Sequence, residues 1–361
     1  MLALMEKKEV LILFGGRSVE HGVSINSARN IFEHIDRGRF TPRLAGITTD
    51  GTWFLKETVD KDISQGKALR LGASPAMPEL FFDGGSIRPQ LAFPVLHGTD
   101  GEDGSIQGLL TAMNLPFVGS GVLGSALSMN KIVAKEMLQA AGLPVVPFMH
   151  FRFDERDQID YRSLVNRFGS PMMVKSASLG SSVGVSKVKT EEDFRRALDD
   201  SFSFDDEVII EQYIPGREIE CAILGNNPPK ASLPGEIVIS PRYEFYSFDA
   251  KYVDPDAVEI RVPAALDPHE QDTIRELSVK AFQTLHCLDF ARVDLFVSKS
   301  GIFVNEINTI PGFTNSSMFP MMWKERGISF TDLISRLLDL AAERTVRQQR
   351  VQRNFESSLR Y

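Results

Sequence analysis

Cysteine is scarce in this 361-residue chain: only Cys221 and Cys287 occur, too few for a disulfide framework or a thiolate metal site. Both read as ordinary semi-buried thiols in a reducing compartment. Long apolar runs are missing as well. The opening MLALMEKKEV reaches its charges too soon for a secretory segment, and no later run approaches about 18 uninterrupted apolar residues. A cytoplasmic protein with no membrane span is expected. Positive charge is in deficit, 40 Lys plus Arg against 48 Asp plus Glu for a net −8, which opposes attraction to a phosphate backbone and disfavours a nucleic-acid partner.

Two common motifs are absent, the mononucleotide loop GxxxxGK[ST] and the zinc pattern HExxH. A dinucleotide fingerprint is matched only formally. In GSGVLG, with Gly119, Gly121 and Gly124, the preceding apolar stretch is just Pro116 to Val118, and Pro144 stands where an acidic residue is needed. The segment reads as a turn joining domains.

What is present fits a soluble globular chain of two or three domains, since 40.2 kDa exceeds the usual single-core size. Twenty-five Phe against six Tyr point to filled aromatic cores rather than an exposed stacking surface. Val10 to Phe14, the glycine pair Gly15-Gly16 and a helical pattern over Ser24 to His34 open an α/β unit. A second apolar run, Gln90 to Leu96, leads into HGTDGEDGS and another helical pattern, so a parallel-sheet domain ending near residue 120 is expected. A helix over Ser128 to Ala140 stops at Gly142 and Pro144.

Beyond it, the strand patterns are 171–175, 183–188, 207–213, 219–224, 237–240, 291–298 and 302–306, with helices only over 191–198 and 269–285. That balance predicts antiparallel sheet flanked by helices. A last helix spans 330–340, and the tail after it, with five Arg and two Glu, reads as a solvated or frayed end or as an anion or subunit contact.

Three constellations carry chemistry. In MMVKSASLGSSVGVSKV two strands flank a loop of small residues from Ser176 to Gly184. Its backbone N–H groups and hydroxyls could close on phosphate oxygens while Lys175 supplies a point charge; a plain exposed hairpin fits the same pattern. In IIEQYIPGREIE, Glu211 lies on one strand and Glu218 and Glu220 share a face of the next, as adenine or ribose acceptors or as solvated edge residues. The third pairs ARVDLFV with FVNEINTIPGFTNSS. Side chains repeat every two residues on a strand, so Arg292 and Asp294 share one side, as do Glu306 and Asn308. If the strands pair, three oxygen-bearing side chains and a guanidinium converge, a donor set suited to Mg²⁺ beside nucleotide phosphates. His97, at the end of a buried strand, is a candidate for substrate contact.

Taken together, GGRSVEHGVS, HGTDGEDGSIQG, LGSSVG, EFYSFDAKY, ARVDLFV and NEINTIPGFTNSS resemble the ATP-grasp ligases and, within them, the D-alanine–D-alanine ligases, over residues 15 to 318. The resemblance implies α/β and α+β architecture in three domains, with two of them sandwiching ATP. The N-terminal substrate domain would cover 1–123, the central domain with its phosphate-covering loop 124–213, and the C-terminal catalytic and metal-binding domain 214–361. It further implies that Lys131 and Lys175 contact phosphate, that Glu211, Gln212, Tyr213 and Ile214 form the adenine hinge, that Glu218 binds ribose and that Lys251 meets the γ-phosphate. Asp294, Glu306 and Asn308 would hold two Mg²⁺ or Mn²⁺ ions. Arg292 would stabilise the transition state. Glu20, Ser181 and Tyr252 would fix the first D-alanine, and His97, Gly312, Ser317 and Met318 would receive the second. A K⁺ requirement and a homodimer are carried over in the same way, with D-lactate or D-serine as alternative second substrates. Three positions depart from the family pattern: Gly22 for Glu, Ser176 for Pro, and Gln212 for Lys.

Overall fold

The computed structural model describes residues 7–72, 78–181, 183–243, 254 and 256–352. Strand β1 (Lys8–Gly15) carries the run Val-Leu-Ile-Leu-Phe, buried throughout, as a strand covered on both faces requires. It lies between β2 (Phe40–Ile47) and a later strand β8 (Leu91–Pro94), parallel to both. The sheet is not wholly parallel, however. Strands β3 (Trp53–Lys56) and β4 (Lys67–Ala68) extend its β2 edge in antiparallel fashion, because the chain returns through a short connection rather than a crossover helix. A small separate sheet holds β5 (Arg70–Gly72), β6 (Glu79–Phe82) and β7 (Gly85–Ile87).

Helix α1 (His21–His34) follows β1, and α2 (Ser105–Ala112) follows the loop after β8. The helix expected over Ser128 to Ala140 is two helices, α3 (Val122–Met129) and α4 (Lys131–Ala140). Asn130 divides them: its backbone is extended and its side chain accepts from the N–H groups of Ile132 and Val133, capping α4.

The middle of the chain forms an antiparallel sheet in the order β11-β10-β12-β9, from β9 (Phe148–Arg152), β10 (Met172–Ser176), β11 (Val185–Val188) and β12 (Glu207–Gln212). Helices α5 (Tyr161–Phe168) and α6 (Glu191–Phe202) back it through Leu164, Phe168, Phe194 and Leu198.

A second antiparallel sheet runs β16-β15-β13-β17-β18. Its strands are β13 (Arg217–Leu224), β15 (Gly235–Ile239), β16 (Val258–Arg261), β17 (Phe290–Ser298) and β18 (Gly301–Asn308), with β14 (Lys230–Ala231) beside β13. Helix α7 (Pro268–Thr284) begins at an Asp267–Glu270 capping box with Pro268 in its first turn. Helices α8 (Met318–Lys324) and α9 (Phe330–Gln348) close the chain. Antiparallel sheet with few helices was the expectation for this half.

Helix α9 does not stay with its own half. Leu333, Ile334, Leu337 and Leu338 share one core with Val10, Ile12 and Phe14 of β1 and with Phe313 and Phe319. Each such burial contributes about 1.5–3 kcal/mol, so the last helix clamps the first sheet to the third. The tail is not simply solvated either. Arg344 is buried, pairs with Asp289 at 3.3 Å and donates to the carbonyls of Phe117 and Gly119. Gly119, with φ of +103°, returns an N–H to Asp289 at 2.9 Å, so the turn expected at GSGVLG is confined to residues 119–121, locked into this node, and Val122 to Gly124 open α3.

Candidate active site

Strands β10 and β12 place Lys175 and Glu211 on the wall of a cleft of about 1540 Å³, part of it open to solvent, whose other wall is the third sheet. The Lys175 ammonium lies 2.7 Å from Glu211 Oε2, and Lys135, from α4, lies 2.9 Å from Glu211 Oε1. All three groups are buried. Burial alone would push the Glu211 carboxyl up, but the two ammonium charges outweigh it and hold it at about 2. The lysines shift in opposite senses. Burial draws Lys135 down against the pull of Glu211, whereas for Lys175 burial is outweighed by Glu211, Glu306 and Glu218, and its pKa rises.

Glu211 is thus committed to two lysines. Lys135 escaped the sequence reading. The available signal was its place four residues after Lys131, on the same face of α4. Lys131 itself donates to the Leu179 carbonyl, and its backbone N–H to Ala177 at 2.9 Å, bracing the glycine-serine loop. Gln212, Tyr213, Ile214 and Glu218 line the same cleft, and the Lys187 ammonium sits 3.9 Å from the Tyr213 ring centre.

A second cavity adjoins the first, sharing Lys131, Ser181, Glu220 and Glu306 as walls. Glu20 enters it from the N-cap position of α1. The Ser181 hydroxyl, on a residue with φ of +53°, donates to Glu20 Oε1. Gly98, with φ of +76°, lets the backbone pass: a Cβ there would stand 2.4 Å from Ser18 Oγ and 2.6 Å from Glu20 Oε2.

His97 is buried with both ring nitrogens engaged. Nδ1 lies 2.8 Å from the Ile310 carbonyl, which can only accept, so Nδ1 carries the proton and Nε2 accepts from Ser27 at 3.0 Å. Ser27 in turn accepts from the Phe313 N–H at 3.2 Å. Burial holds the imidazole below its usual pKa against the opposing charge of Glu20. Glu102, also unread in the sequence although it lies within HGTDGEDGS, accepts from Gly98 N at 2.9 Å and Ile310 N at 3.1 Å. Burial, then the charge of Glu20, raises its carboxyl to about 8. His97 and Glu102 therefore tie the loop after β8 to the TIPGF loop.

The third sheet brings together the four residues expected of it. Asp294 pairs with Glu306 and Arg292 with Asn308 across β17 and β18. A bulge follows: Leu295 pairs with Val304, leaving Asn305 as the extra residue, and its Oδ1 lies 3.4 Å from Lys175 across the cleft. The Arg292 fork holds Asp294 with two bonds of 2.7 Å, and its Nε lies 3.0 Å from Glu220. Among the described residues no three His, Cys, Asp or Glu side chains form a ready-made metal cage. Two carboxylates and the Asn308 amide, lining the two adjoining cavities, nonetheless fit a hard cation whose remaining ligands would come from substrate and water.

Ser317, at the N-cap of α8, accepts from Thr314 N at 3.0 Å and packs 2.9 Å from where a Cβ on Gly312 would stand. Both line the second cavity, with Met318 buried beneath them. Lys251 and Tyr252 lie outside the described residues. Of the three departures, Gly22 faces open space. Ser176 uses an N–H that proline lacks, donating to the Gly184 carbonyl at 3.1 Å to close the loop's base. Nothing in the structure explains Gln212.

Residues 9–120 match the family model described as D-ala D-ala ligase N-terminus and residues 137–339 the one described as D-ala D-ala ligase C-terminus. The chain is 45% identical over 355 residues to D-alanine–D-alanine ligase A of Escherichia coli, covering 94% of this chain and 97% of that one. Among solved structures, the D-alanine-D-alanine ligase from Coxiella burnetii superposes with a TM-score of 0.85 at 36% identity, covering 96% of this chain and 97% of that one. The VanG D-Ala:D-Ser ligase from Enterococcus faecalis gives 0.84 at 32%, covering 93% and 100%.

Proposed function

The chain belongs to the D-alanine–D-alanine ligase family and is an ATP-dependent ligase that joins two D-alanines; from this we propose that the cleft between the second and third sheets carries the reaction. The observation that carries the proposal is the meeting of the Lys175–Glu211 pair with Asp294 and Glu306 in one cleft, which adjoins the cavity lined by Arg292 and Asn308. Identities of 44–45% over nearly the whole chain to proteins named D-alanine–D-alanine ligase support D-alanine as the second substrate.

Lys131 and Lys175 bind the phosphates, with Lys251 as a further γ-phosphate contact. The strand Glu211–Ile214 borders the adenine and Glu218 the ribose. Glu20 takes the ammonium of the first D-alanine, and Ser181, bonded to Glu20, carries the central loop onto that pocket together with Tyr252. The first carboxylate accepts the phosphoryl group and becomes an acyl phosphate, a good electrophile. The amine of the second D-alanine, its carboxylate held at Gly312, Ser317 and Met318, attacks that carbon, and phosphate leaves. Arg292 holds the charge that develops on the carbonyl oxygen. Asp294, Glu306 and Asn308 would hold Mg²⁺ or Mn²⁺, which offsets polyphosphate charge. His97, neutral and doubly bonded, shapes the second subsite instead of moving protons.

Water would hydrolyse the acyl phosphate, so closure over the cleft is part of the function. Domain limits of 1–123, 124–213 and 214–361, a homodimer, a K⁺ requirement and a cytoplasmic location rest on the resemblance. Among the described residues no helix is long and apolar enough to cross a membrane.

Phosphate release from Mg-ATP with D-alanine, set against L-alanine, D-lactate and D-serine as second substrates and followed by product separation, tests this reading. D-alanyl-D-alanine formed in step with phosphate is expected. A chain that makes mainly an ester or mixed product from equimolar mixtures near neutral pH would overturn it.

A further inference from the structure

Three neighbouring strands carry a row of carboxylates. Glu220 on β13 pairs with Asp294 on β17, which pairs with Glu306 on β18, so all three project from one face. In the adjacent row stand Ala222, Arg292 and Asn308. The proposed metal set lies on the β18 side, and Glu220 lies on the opposite side of Asp294.

Arg292 occupies both oxygens of Asp294, at 2.7 Å each, and these are the oxygens a divalent cation needs. The guanidinium cannot be left without a carboxylate in a site this enclosed, since its side chain is only 17% exposed. Glu220 supplies that carboxylate, with Oε2 3.0 Å from Arg292 Nε and its side chain 6% exposed. Three carboxylates and one guanidinium also leave a formal charge of −2, which one divalent cation balances.

Resting on the reading of Asp294, Glu306 and Asn308 as metal ligands, we propose that Glu220 is a positioning residue: it keeps Arg292 when Asp294 turns to the cation. The arginine then stays aimed into the cleft and does not compete for the metal's ligand. The hand-over costs little because Arg292 already touches both acids.

The test is Mn²⁺ affinity, read by electron paramagnetic resonance on the full chain with ADP, across a double-mutant cycle. Glu220→Gln removes the carboxylate that would keep Arg292 when Asp294 turns away and is expected to weaken Mn²⁺ about tenfold or more. In an Arg292→Met background Asp294 no longer has this guanidinium to shed, and the same change is expected to alter Mn²⁺ affinity less than about twofold. Equal losses in both backgrounds would make Glu220 act on the metal directly, and no loss in either would remove its role; both outcomes overturn the proposal. Glu220→Asp keeps the charge one methylene further back and is expected to lose less than the Gln variant, so it serves if the latter fails to fold. Asp294→Asn separates the two readings. If it leaves wild-type Mn²⁺ affinity unchanged, the metal assignment itself falls; if it weakens Mn²⁺ while Glu220→Gln does not, only the role of Glu220 falls.

Discussion

The two walls of the cleft solve opposite electrostatic problems in different ways. The wall from β10, β12 and α4 buries two lysines on one carboxylate, Glu211, and is dry and preformed. The wall from β13, β17 and β18 carries three carboxylates around one arginine, and under the proposed metal binding its Arg292–Asp294 pair would rearrange in use. Phosphate needs fixed positive charge, which burial can organise in advance. A metal site of the proposed kind must instead release its internal partner when the ion arrives. The basic wall should therefore reveal itself mainly in stability and the acidic wall mainly in turnover.

The largest effect is expected at Arg292. Arg292→Ala removes the guanidinium that forks onto Asp294 in this carboxylate row, and turnover should drop about 10²- to 10³-fold. Glu306→Gln should act in the same direction, while melting temperatures of both variants move little. A large loss of stability with turnover preserved would erase the contrast between the walls.

Lys135→Met tests the other side. Breaking a buried pair costs about 3–5 kcal/mol, and because Lys175 stays with Glu211 the lower end is expected, read from chemical denaturation. The pH dependence follows. Glu211 is held at about 2 against an ordinary 4.5, so it contributes stability that is fully present above pH 4.5 and lost as pH falls toward 2. Removing Lys135 raises the folded-state pKa, narrows that window and should shift the acid-unfolding midpoint to higher pH. An unmoved midpoint would detach Lys135 from Glu211.

Ser181→Ala removes the hydroxyl that joins the central loop to Glu20. A lost hydrogen bond of about 0.5–1.5 kcal/mol predicts roughly a 2- to 13-fold fall in kcat/KM for D-alanine, with ATP affinity little changed. The smallest effect is expected at Gly22→Glu. The position faces open space in the first turn of α1, where a longer side chain adds helix propensity and a negative charge favours the helix dipole. A gain of up to about 1 kcal/mol in thermal denaturation is the expected reading.

Much was legible in the residues. The alternation of Arg292 with Asp294 and of Glu306 with Asn308 foretold one face of a paired β17 and β18, because a strand repeats every two residues whatever it packs against. Local patterns likewise announced β1, the helices at 191 and 269, and the loop after Lys175. Other features had no local trace. The split at Asn130 looked like continuous helix, since a cap is a matter of one residue's backbone. Short strands such as β3 and β16 carry too few buried positions to stand out.

The sequence by itself determined the chemistry available: which strands could carry carboxylates and lysines, where glycine would let the backbone pass, and, through its motifs, the family. Only the tertiary structure decided which charges meet. Glu211 finds Lys135 and Lys175, Arg292 finds Glu220 on the neighbouring strand, and Arg344 finds Asp289, because strand order and helix docking, not sequence separation, set those distances. An ion pair inside a protein is settled by what else is buried beside it, and that is information the chain acquires only on folding.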